Sequence, residues 1–423
     1  MPVVRGFVRD EFGKPVENAT IAVPSAYKFA LSHQDGSFEV ELPKGIYTMH
    51  IVQRFYHRSS YKIDVYADTI LQGIVLRTLT GTPIAEPLIG GAVNEMSALE
   101  AKKDIEDTLL EIPGVVGVGL ERNLRRIRVY VTRCEQTIAD ERIPRQISGF
   151  DVEVMCVGRV APLAEAVVRQ DTIGETYRAR RYRPAVGGIS AAHRDVEAGT
   201  IGAVVRDRST REKLLLSCNH VFANKDMVGY SRAAQGDPVT QPGHWDLSRV
   251  VNMGVSDNEI GSLMRWVPLD PNGDNIVDAA VVIPFAQDIV REYILSDDSY
   301  DVIRVNGASS VKRGIPVKKY GRTTDFKRGK VIDWDATVMV VYGGIPVKFV
   351  DQLLIEMDAE KGDSGALILD DNNTAVGLMF SGSVNVRPDG STVKYCYANK
   401  ISNVLSMLDI YLGGTDEKPK WAK

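Results

Sequence analysis

One serine of the sequence stands in a setting that suits nucleophilic chemistry. Residues 361–366 read KGDSGA, and the apolar runs QLLIEM and ALIL flank them. The glycines beside Ser364 let another backbone approach the hydroxyl. They also let the N–H groups of Gly362 and Ser364 point at one developing oxyanion, an effect of about 3–4 kcal/mol. Glycine, aspartate and serine are also common in surface turns, but the flanking strands favour the chemical interpretation.

A serine hydroxyl is a weak nucleophile and needs a neighbouring base. His220 follows the apolar run LLLSCN, so a strand would hold it at a fixed place. Two other histidines lie in the same region, His193 in AAHRD and His244 in PGHWD, and we expect both in loops without a preceding strand. A lone histidine more often serves as a structural hydrogen-bonding group, but its setting makes His220 the best candidate base.

A base of this kind needs a carboxylate that fixes its tautomer and stabilises the imidazolium. Asp278 lies in NIVDAAVVI, which predicts a carboxylate inside an otherwise apolar strand. A buried charge without a partner is costly, so Asp278 should have one. Asp274, in a Pro-Asn-Gly turn, is the competing candidate and is expected to be solvated.

Composition limits the other classes of function. The 423 residues carry a net charge of −4, with 44% hydrophobic and 25% charged residues, as in soluble globular proteins. The small net charge gives no sign of a nucleic-acid or membrane partner, and no apolar run has secretory or membrane-spanning length. Four scattered cysteines predict reduced, mostly buried thiols. These features predict a cytoplasmic protein.

The first part of the chain predicts two small domains. Residues 1–77 alternate short apolar runs with turns, which is typical of a β-sandwich. Residues 94–160 predict a helix that ends at Pro113-Gly114, two strands, a short helical piece around 139–147 and a third strand. This order indicates a small α+β domain. Its VVGVG run lacks the spacing of a nucleotide-binding loop.

Residues 161–184 predict a linker, whose YRARRYRP end we interpret as a solvated face rather than a nucleic-acid patch. Residues 185–413 predict short strands, enough for two β-barrels, before a final helix with Ile401, Val404, Leu405 and Leu408 on one face. The tail, 414–423, is polar and expected to fray. The fold class is therefore mainly β and multidomain.

Two stretches of the chain resemble known families. GFVRDEFGKPVENATIAV and HQDGSFEVELPKGIYTMHI resemble transthyretin-like modules of the carboxypeptidase-regulatory type. LLSCNHVFA, NIVDAAVV and KGDSGALIL resemble the His, Asp and Ser motifs of chymotrypsin-like serine proteases, in that family's order. Further runs, such as KYGRTTDFKRGKV and VGLMFSG, are similar to intracellular trypsin-like proteins of bacteria and of the plant narrow-leaf type.

The protease resemblance implies a chymotrypsin-like double β-barrel with His220, Asp278 and Ser364 as a triad and Gly362 and Ser364 as the oxyanion hole. It further implies that Phe380, Ser381 and Gly382 pair with the substrate backbone. Asp358 resembles the acidic base of a Lys/Arg pocket, whereas Tyr395 stands where trypsin-type members keep glycine and would favour a small apolar residue. Secreted members pair the residue that matches Asp363 with a freed N-terminus. Here the domain is internal, so Asp363 needs another partner or the site is held ready without one. The disulfides of those members are missing, which fits a reducing compartment.

The resulting expectation is a serine endopeptidase that forms an acyl-enzyme and needs no metal or organic cofactor. Its partner would be a protein or peptide substrate, and an activator or a second copy could bind through the N-terminal domains. The alternative is a catalytically idle scaffold with the protease fold. An esterase or amidase is disfavoured because the chain lacks a GxSxG elbow and alternating α/β elements.

Overall fold

The structure is a computed structural model, and it describes residues 1–10, 13–17, 19–23, 28–52, 59–76, 95–121, 126–133, 142–163, 177–247, 258–310, 314–387, 389–414 and 416–422. They form two compact units. The first comprises Met1–Val118 and Leu124–Met155, and the second comprises Gly119–Asn123 and Cys156–Lys423. The predicted boundaries at 77, 94, 160 and 184 stay predictions.

In the first unit, the described part of residues 1–77 forms two antiparallel-rich sheets over one core. Its strands are β1 (Val3–Asp10), β2 (Thr20–Val23), β3 (Lys28–Leu31), β4 (Ser37–Glu41), β5 (Gly45–Val52), β6 (Ser59–Val65) and β7 (Thr69–Leu76). One sheet has the order β4-β1-β7 and the other β3-β2-β5-β6. Alternate residues of β1 are buried, including Val4 and Val8, and they share a cluster with Ile21 and Met49. Two sheets on one core agree with the predicted β-sandwich.

The next elements mix one helix with strands, as the sequence predicts. They are α1 (Glu95–Leu110), β8 (Val115–Leu120), β9 (Arg126–Val131), β10 (Gln146–Ile147) and β11 (Phe150–Cys156). The strand order is β10-β11-β9-β8. After α1, Gly114 adopts a φ of 92°, which glycine tolerates best. The short helical piece predicted around 139–147 lies partly outside the described residues, and its end, β10, is extended instead.

The second unit consists mainly of short antiparallel strands. They are β12 (Ala161–Pro162), β13 (Ala185–Gly187), β14 (Ser190–His193), β15 (Gly199–Thr200), β16 (Ala203–Asp207), β17 (Lys213–Ser217), β18 (Pro238–Thr240), β19 (Glu259–Trp266), β20 (Asp274–Asn275), β21 (Ala280–Pro284), β22 (Val290–Leu295), β23 (Val302–Arg304), β24 (Pro316–Gly321), β25 (Asp325–Tyr342), β26 (Ile345–Met357), β27 (Leu367–Leu369), β28 (Ala375–Val386), β29 (Thr392–Lys400) and β30 (Ile410–Tyr411). The helices are α2 (Asn219–Phe222), α3 (His244–Leu247) and α4 (Ile401–Met407), with 3₁₀ turns at Tyr177–Ala179 and Gln287–Ile289.

These strands build the two antiparallel layers that position the candidate site. The first has the order β15-β14-β18-β19-β21-β17-β16-β30. The second runs β25-β24-β27-β28-β29-β26, and β26 pairs back with β25, so six strands close on themselves. Closure satisfies the backbone groups that an open edge would expose. The mainly β, double-barrel fold predicted for this region is therefore present.

The final helix buries the face that its sequence predicts. Ile401, Val404, Leu405 and Leu408 are each at most 8% exposed. Their spacing places one side chain per turn against the strands.

Two segments predicted to be solvated are packed instead. Arg178, in the predicted linker, is 0% exposed, and its guanidinium donates to the carbonyl oxygens of Gly188 at 2.9 Å and Leu295 at 2.7 Å. Its Nε also donates to Asp325 at 2.6 Å. Buried arginines need such partners. Arg178 therefore anchors the chain before the first barrel strands of the second unit, which is called the barrel unit below. The expectation of a solvated linker face was wrong at this position.

The tail is also docked rather than frayed. Trp421 Nε1 donates to the Pro184 carbonyl at 3.0 Å, and its ring lies 5.0 Å from that of Tyr182. Lys213 Nζ lies 2.9 Å from a carboxylate oxygen of Asp416. An apolar ring and one ion pair hold a segment whose composition is polar overall.

The cysteines divide into two kinds. Cys218 and Cys396 are free and buried, as expected. Cys156 is disulfide-bonded, which corrects the expectation that all four are reduced thiols; its partner lies outside the described residues. Within the part of the chain that the structure describes, no helix has the length and apolar character to cross a membrane.

Candidate active site

The candidate base and acid are bonded to each other in a fully buried setting. The strand β17 leads into α2, which contains His220, and this side chain is 0% exposed. His220 Nδ1 lies 2.5 Å from Asp278 Oδ2, and the backbone N–H of His220 donates to Asp278 Oδ1 at 3.1 Å. These two contacts fix both the orientation and the tautomer of the imidazole, because its Nδ1 faces an acceptor.

Asp278 does not lie inside a strand, as its apolar neighbours had predicted. It occupies the segment between β20 and β21 and is 0% exposed. Its backbone N–H donates to Asn399 Oδ1 at 3.0 Å, and the Tyr342 hydroxyl donates to its Oδ2 at 2.6 Å. Burial, then the Asp278 charge, raises the pKa of Tyr342 well above its usual value, so Tyr342 stays a neutral donor.

The competing residues have other surroundings. Asp274 has a side chain that is 56% exposed and forms an ion pair with Lys348 at 2.7 Å. His193 ends the strand β14, which corrects the expected loop setting, and its Nε2 lies 3.3 Å from Asp237 Oδ2. His244 starts α3, which also corrects the expected loop setting, and its Nδ1 lies 3.2 Å from the Arg194 carbonyl. Each of these side chains has its own partner away from Ser364.

The candidate nucleophile lies in a tight turn between β26 and β27. Gly362 and Gly365 have φ angles of 98° and 91°, which favour glycine. A Cβ on Gly365 would lie 2.2 Å from Ser217 Oγ, so this turn packs directly against the end of β17, three residues before His220. The fold therefore places the GDSG turn against β17, the strand that precedes the candidate base His220.

The serine hydroxyl and the imidazole are not bonded to each other in this structure. Ser364 Oγ donates to the Phe380 carbonyl at 3.1 Å. His220 Nε2 is buried and has no hydrogen-bond partner among the described residues. Buried polar atoms without partners are uncommon and cost about 1–3 kcal/mol. The imidazole therefore holds one buried ring nitrogen without a partner, and the serine hydroxyl is bonded elsewhere.

The turn is held by a buried ion pair that supplies the partner expected for Asp363. Lys319 Nζ lies 3.1 Å from Asp363 Oδ2, and both side chains are fully buried. Asp363 also accepts from the Thr323 and Thr324 N–H groups at 2.9 and 3.0 Å, and from the Thr324 hydroxyl at 2.6 Å. Burial alone would raise the pKa of Asp363, but the Lys319 charge and these hydrogen bonds outweigh it and lower that pKa.

The strand expected to pair with substrate already carries a partner from the same unit. The backbone of β12 is antiparallel to β28, with Ala161 opposite Gly382 and Pro162 opposite Ser381. The next residue, Leu163, donates its N–H to the Phe380 carbonyl at 3.5 Å. The Leu163 carbonyl accepts a hydrogen bond from the Gly362 N–H.

The residues expected to set specificity have these positions. Asp358 Oδ1 accepts from Lys394 Nζ at 2.7 Å, and Lys327 Nζ lies 3.5 Å from Oδ2. Burial would raise the pKa of Asp358, but these two ammonium groups outweigh it and lower the pKa. Tyr395, in β29, is 7% exposed, and its carbonyl oxygen lies 3.1 Å from where a Gly382 Cβ would stand.

Among the described residues, one group of ligand-type side chains is compact enough to hold a metal ion. Atoms of Cys218, His220 and Asp278 all lie within 4.8 Å of one another. One donor atom of each side chain is already engaged, however, because His220 Nδ1 is bonded to Asp278 and the Cys218 thiol donates to the Met379 carbonyl at 3.2 Å. Burial, then the Asp278 charge, raises the pKa of Cys218, whereas a metal needs the thiolate. The donor set fits a base–acid pair better than a metal site.

Sequence reasoning missed three parts of this site: Lys319, Tyr342 and the segment at 161–163. Two adjacent lysines in the strand sequence IPVKKYG could have indicated Lys319. Neighbours in a strand point to opposite faces, so one of the two lysines is expected to point into the protein. Tyr342 and residues 161–163 gave no local signal, since their partners are far away in the chain.

No family model matches the chain, and no curated protein matches it either. Solved structures that are similar include a protease of Nocardiopsis, with 17% identity and a TM-score of 0.39, and protease A of Thermobifida fusca, with 19% identity and a TM-score of 0.39. A chymotrypsin of Cellulomonas bogoriensis has 17% identity and a TM-score of 0.38. Each similarity covers 54% of this chain and 98% of the other.

Proposed function

We propose that the chain is a serine endopeptidase in which Ser364, His220 and Asp278 form the catalytic triad. The observation that carries the proposal is the buried imidazole of His220, whose Nδ1 is fixed by Asp278 at 2.5 Å while its Nε2 has no partner among the described residues. A buried nitrogen without a partner costs free energy, and such costs persist where function requires them. A free Nε2 is the atom that a general base needs.

The proposed reaction uses these groups in sequence. The Ser364 side chain rotates away from the Phe380 carbonyl, and its Oγ attacks the carbonyl carbon of the substrate while His220 Nε2 takes the proton. The N–H groups of Gly362 and Ser364 stabilise the oxyanion. The imidazolium, stabilised by Asp278, then gives its proton to the leaving amine. Water repeats the sequence on the acyl-enzyme and releases the new carboxylate.

The substrate class is a protein or peptide bound as an added strand. Phe380, Ser381 and Gly382 supply backbone groups at the edge that β12 occupies, and main-chain hydrogen bonds recognise any extended peptide. We propose that the N-terminal region recruits such substrates, an activator or a second copy of the chain.

The surroundings of Asp358 support the apolar alternative for the residue before the cut. Lys394 and Lys327 already neutralise this carboxylate, so a substrate lysine or arginine would have to displace one of them. A preference for Lys or Arg, which the resemblance implied, stays the competing hypothesis.

One observation favours a second candidate function, an idle scaffold. Ser364 donates to Phe380 and not to His220, so the described triad is incomplete. The two candidates differ in whether the serine can react.

A fluorophosphonate probe, which reacts only with an activated serine, distinguishes them. We expect the full-length protein to be labelled and Ser364→Ala to be unlabelled. Ser391→Ala, which removes a hydroxyl that binds Asp389 in a turn, is the matched control and should label like the unmodified protein. A folded protein that never reacts would favour the scaffold.

A further inference from the structure

The segment before residue 164 binds its own barrel unit in the manner of a substrate. Ala161 and Pro162 pair antiparallel with Gly382 and Ser381, and the Ser381 hydroxyl donates to the Ala161 carbonyl at 3.1 Å. Upstream, Gly158 lies so close to the same strand that a Cβ there would stand 2.0 Å from the Val384 carbonyl oxygen. Residues 158–163 therefore run along β28, and Ala161 and Pro162 pair with it as a strand.

Proline at 162 fits this register. In an antiparallel pair, consecutive N–H groups point alternately toward and away from the neighbouring strand. Leu163 directs its N–H at Phe380, so the position before it directs its own away from β28. Proline has no N–H and therefore loses no hydrogen bond at this place.

Leu163 lies against groups that the proposed function assigns to the residue before the cut. Its carbonyl oxygen accepts from the Gly362 N–H, beside the nucleophile. Its side chain is 8% exposed and belongs to an apolar cluster with Ala359, Met379 and Cys396. A Cβ on Gly382 would lie 3.0 Å from Leu163 Cδ2, so the glycine leaves the space that this side chain fills.

The segment lies at a site that is closed to solvent. Ser364 and His220 are both 0% exposed, although the proposed chemistry requires a peptide to reach them. The peptide that lies against the Gly362 N–H belongs to the same compact unit, Cys156–Lys423 together with Gly119–Asn123. A contact inside one unit forms without a second molecule.

We propose that the chain cuts itself, in cis, at the peptide bond that follows Leu163. This inference rests on the proposed protease function. Ser364 Oγ bonds to the Leu163 carbonyl carbon while its proton passes to His220 Nε2. The bond from Leu163 to the nitrogen of residue 164 breaks, and that nitrogen takes the proton. Water then cleaves the ester, leaving a Leu163 carboxylate and restoring the serine.

Cell-free synthesis of the full chain, followed by intact mass and N-terminal sequencing, tests the proposal. We expect two fragments, 1–163 and 164–423, the second beginning at residue 164. Ser364→Ala should stay intact. Because the cut is intramolecular, its rate should not change on tenfold dilution, and added unmodified protein should not cut the Ser364→Ala chain.

Two substitutions at one position provide the matched control. Leu163→Met keeps a flexible apolar side chain and should be cut within a few-fold of the normal rate. Leu163→Asp places a charge in an apolar pocket and should slow the cut roughly 100-fold. The same substitution should speed fluorophosphonate labelling, because the segment would no longer cover Ser364.

The outcomes separate this inference from the proposed function. An intact chain that reacts with the probe, a cut at another bond or a rate that depends on concentration would overturn self-cleavage after Leu163 in cis and leave a protease. An intact chain that fails to label, even as Leu163→Asp, would overturn both.

Discussion

Lys319 Nζ lies 3.1 Å from Asp363 Oδ2, with both side chains fully buried, and the carboxylate belongs to the residue immediately before Ser364. The ion pair therefore ties the nucleophile turn to β24 from inside the unit. A cation from the chain itself is the partner of the carboxylate for which the resemblance implied a freed N-terminus.

Lys319→Met should lower the free energy of unfolding by about 3–5 kcal/mol, because it leaves the Asp363 charge buried without its ion-pair partner. Probe labelling of Ser364 should fall with it. Urea unfolding and labelling rates measure the two effects. Lys318→Met, at the neighbouring position, should keep labelling; equal loss in both variants would mean that the ion pair has no special role.

Acid should weaken the turn through Asp363. The pKa of this group is lowered in the folded state, so its contribution to stability is present above the ordinary aspartate pKa of 3.8 and is lost as pH falls through the lowered value. Unfolding curves of the unmodified protein and Asp363→Asn should therefore differ most at neutral pH and converge toward pH 2–3. A difference that grows on acidification would contradict this sign.

Tyr342→Phe should remove the hydroxyl that donates to Asp278 Oδ2 at 2.6 Å. A buried hydrogen bond to a charged group contributes about 1.5–3 kcal/mol, so we expect turnover to fall by roughly tenfold or more. Tyr182→Phe is the control, since its hydroxyl donates at 2.7 Å to the Tyr177 carbonyl, away from the triad. Both variants should lose stability, and Tyr342→Phe alone should lose activity.

Asp278→Asn should reduce turnover on the order of 10⁴-fold while the fold stays intact, because the imidazole would lose its correct tautomer. Ser364→Ala and His220→Ala should abolish turnover. Asp274→Asn, which loses only an exposed ion pair with Lys348, should change little. A larger effect at 274 than at 278 would show that the acid has been assigned incorrectly.

Profiling with a proteome-derived peptide library should give cuts after apolar residues such as leucine. Asp358→Asn should leave this preference unchanged, because Lys394 and Lys327 already bind that carboxylate. Cuts after Lys or Arg that vanish in Asp358→Asn would establish the basic pocket instead.

Local sequence was sufficient for much of the candidate site. The glycines around Ser364 and the apolar strand before His220 are features of a few consecutive residues, and the structure keeps both. The carboxylate among apolar neighbours correctly marked Asp278 as buried, although its segment is not a strand. Extended backbone and regular strand share the same apolar composition, so the sequence could not separate them.

Contacts between distant residues explain what the sequence left out. Ser381 meets Ala161 across 220 residues, and Tyr342 reaches Asp278 across 64. Neither contact leaves a periodic or local pattern. The run YRARRYRP illustrates the same limit, because only the fold reveals that carbonyl oxygens 10 and 117 residues away surround Arg178.

The docked tail sets the earliest point during synthesis at which the barrel unit can complete its packing. Trp421 bonds to Pro184 across 237 residues, and β30 pairs with β16, so the chain must be made past Trp421 before the first strands of the unit have all their partners. Early domains fold while later ones are still being made. A cut that depends on the complete barrel unit therefore follows synthesis of the tail.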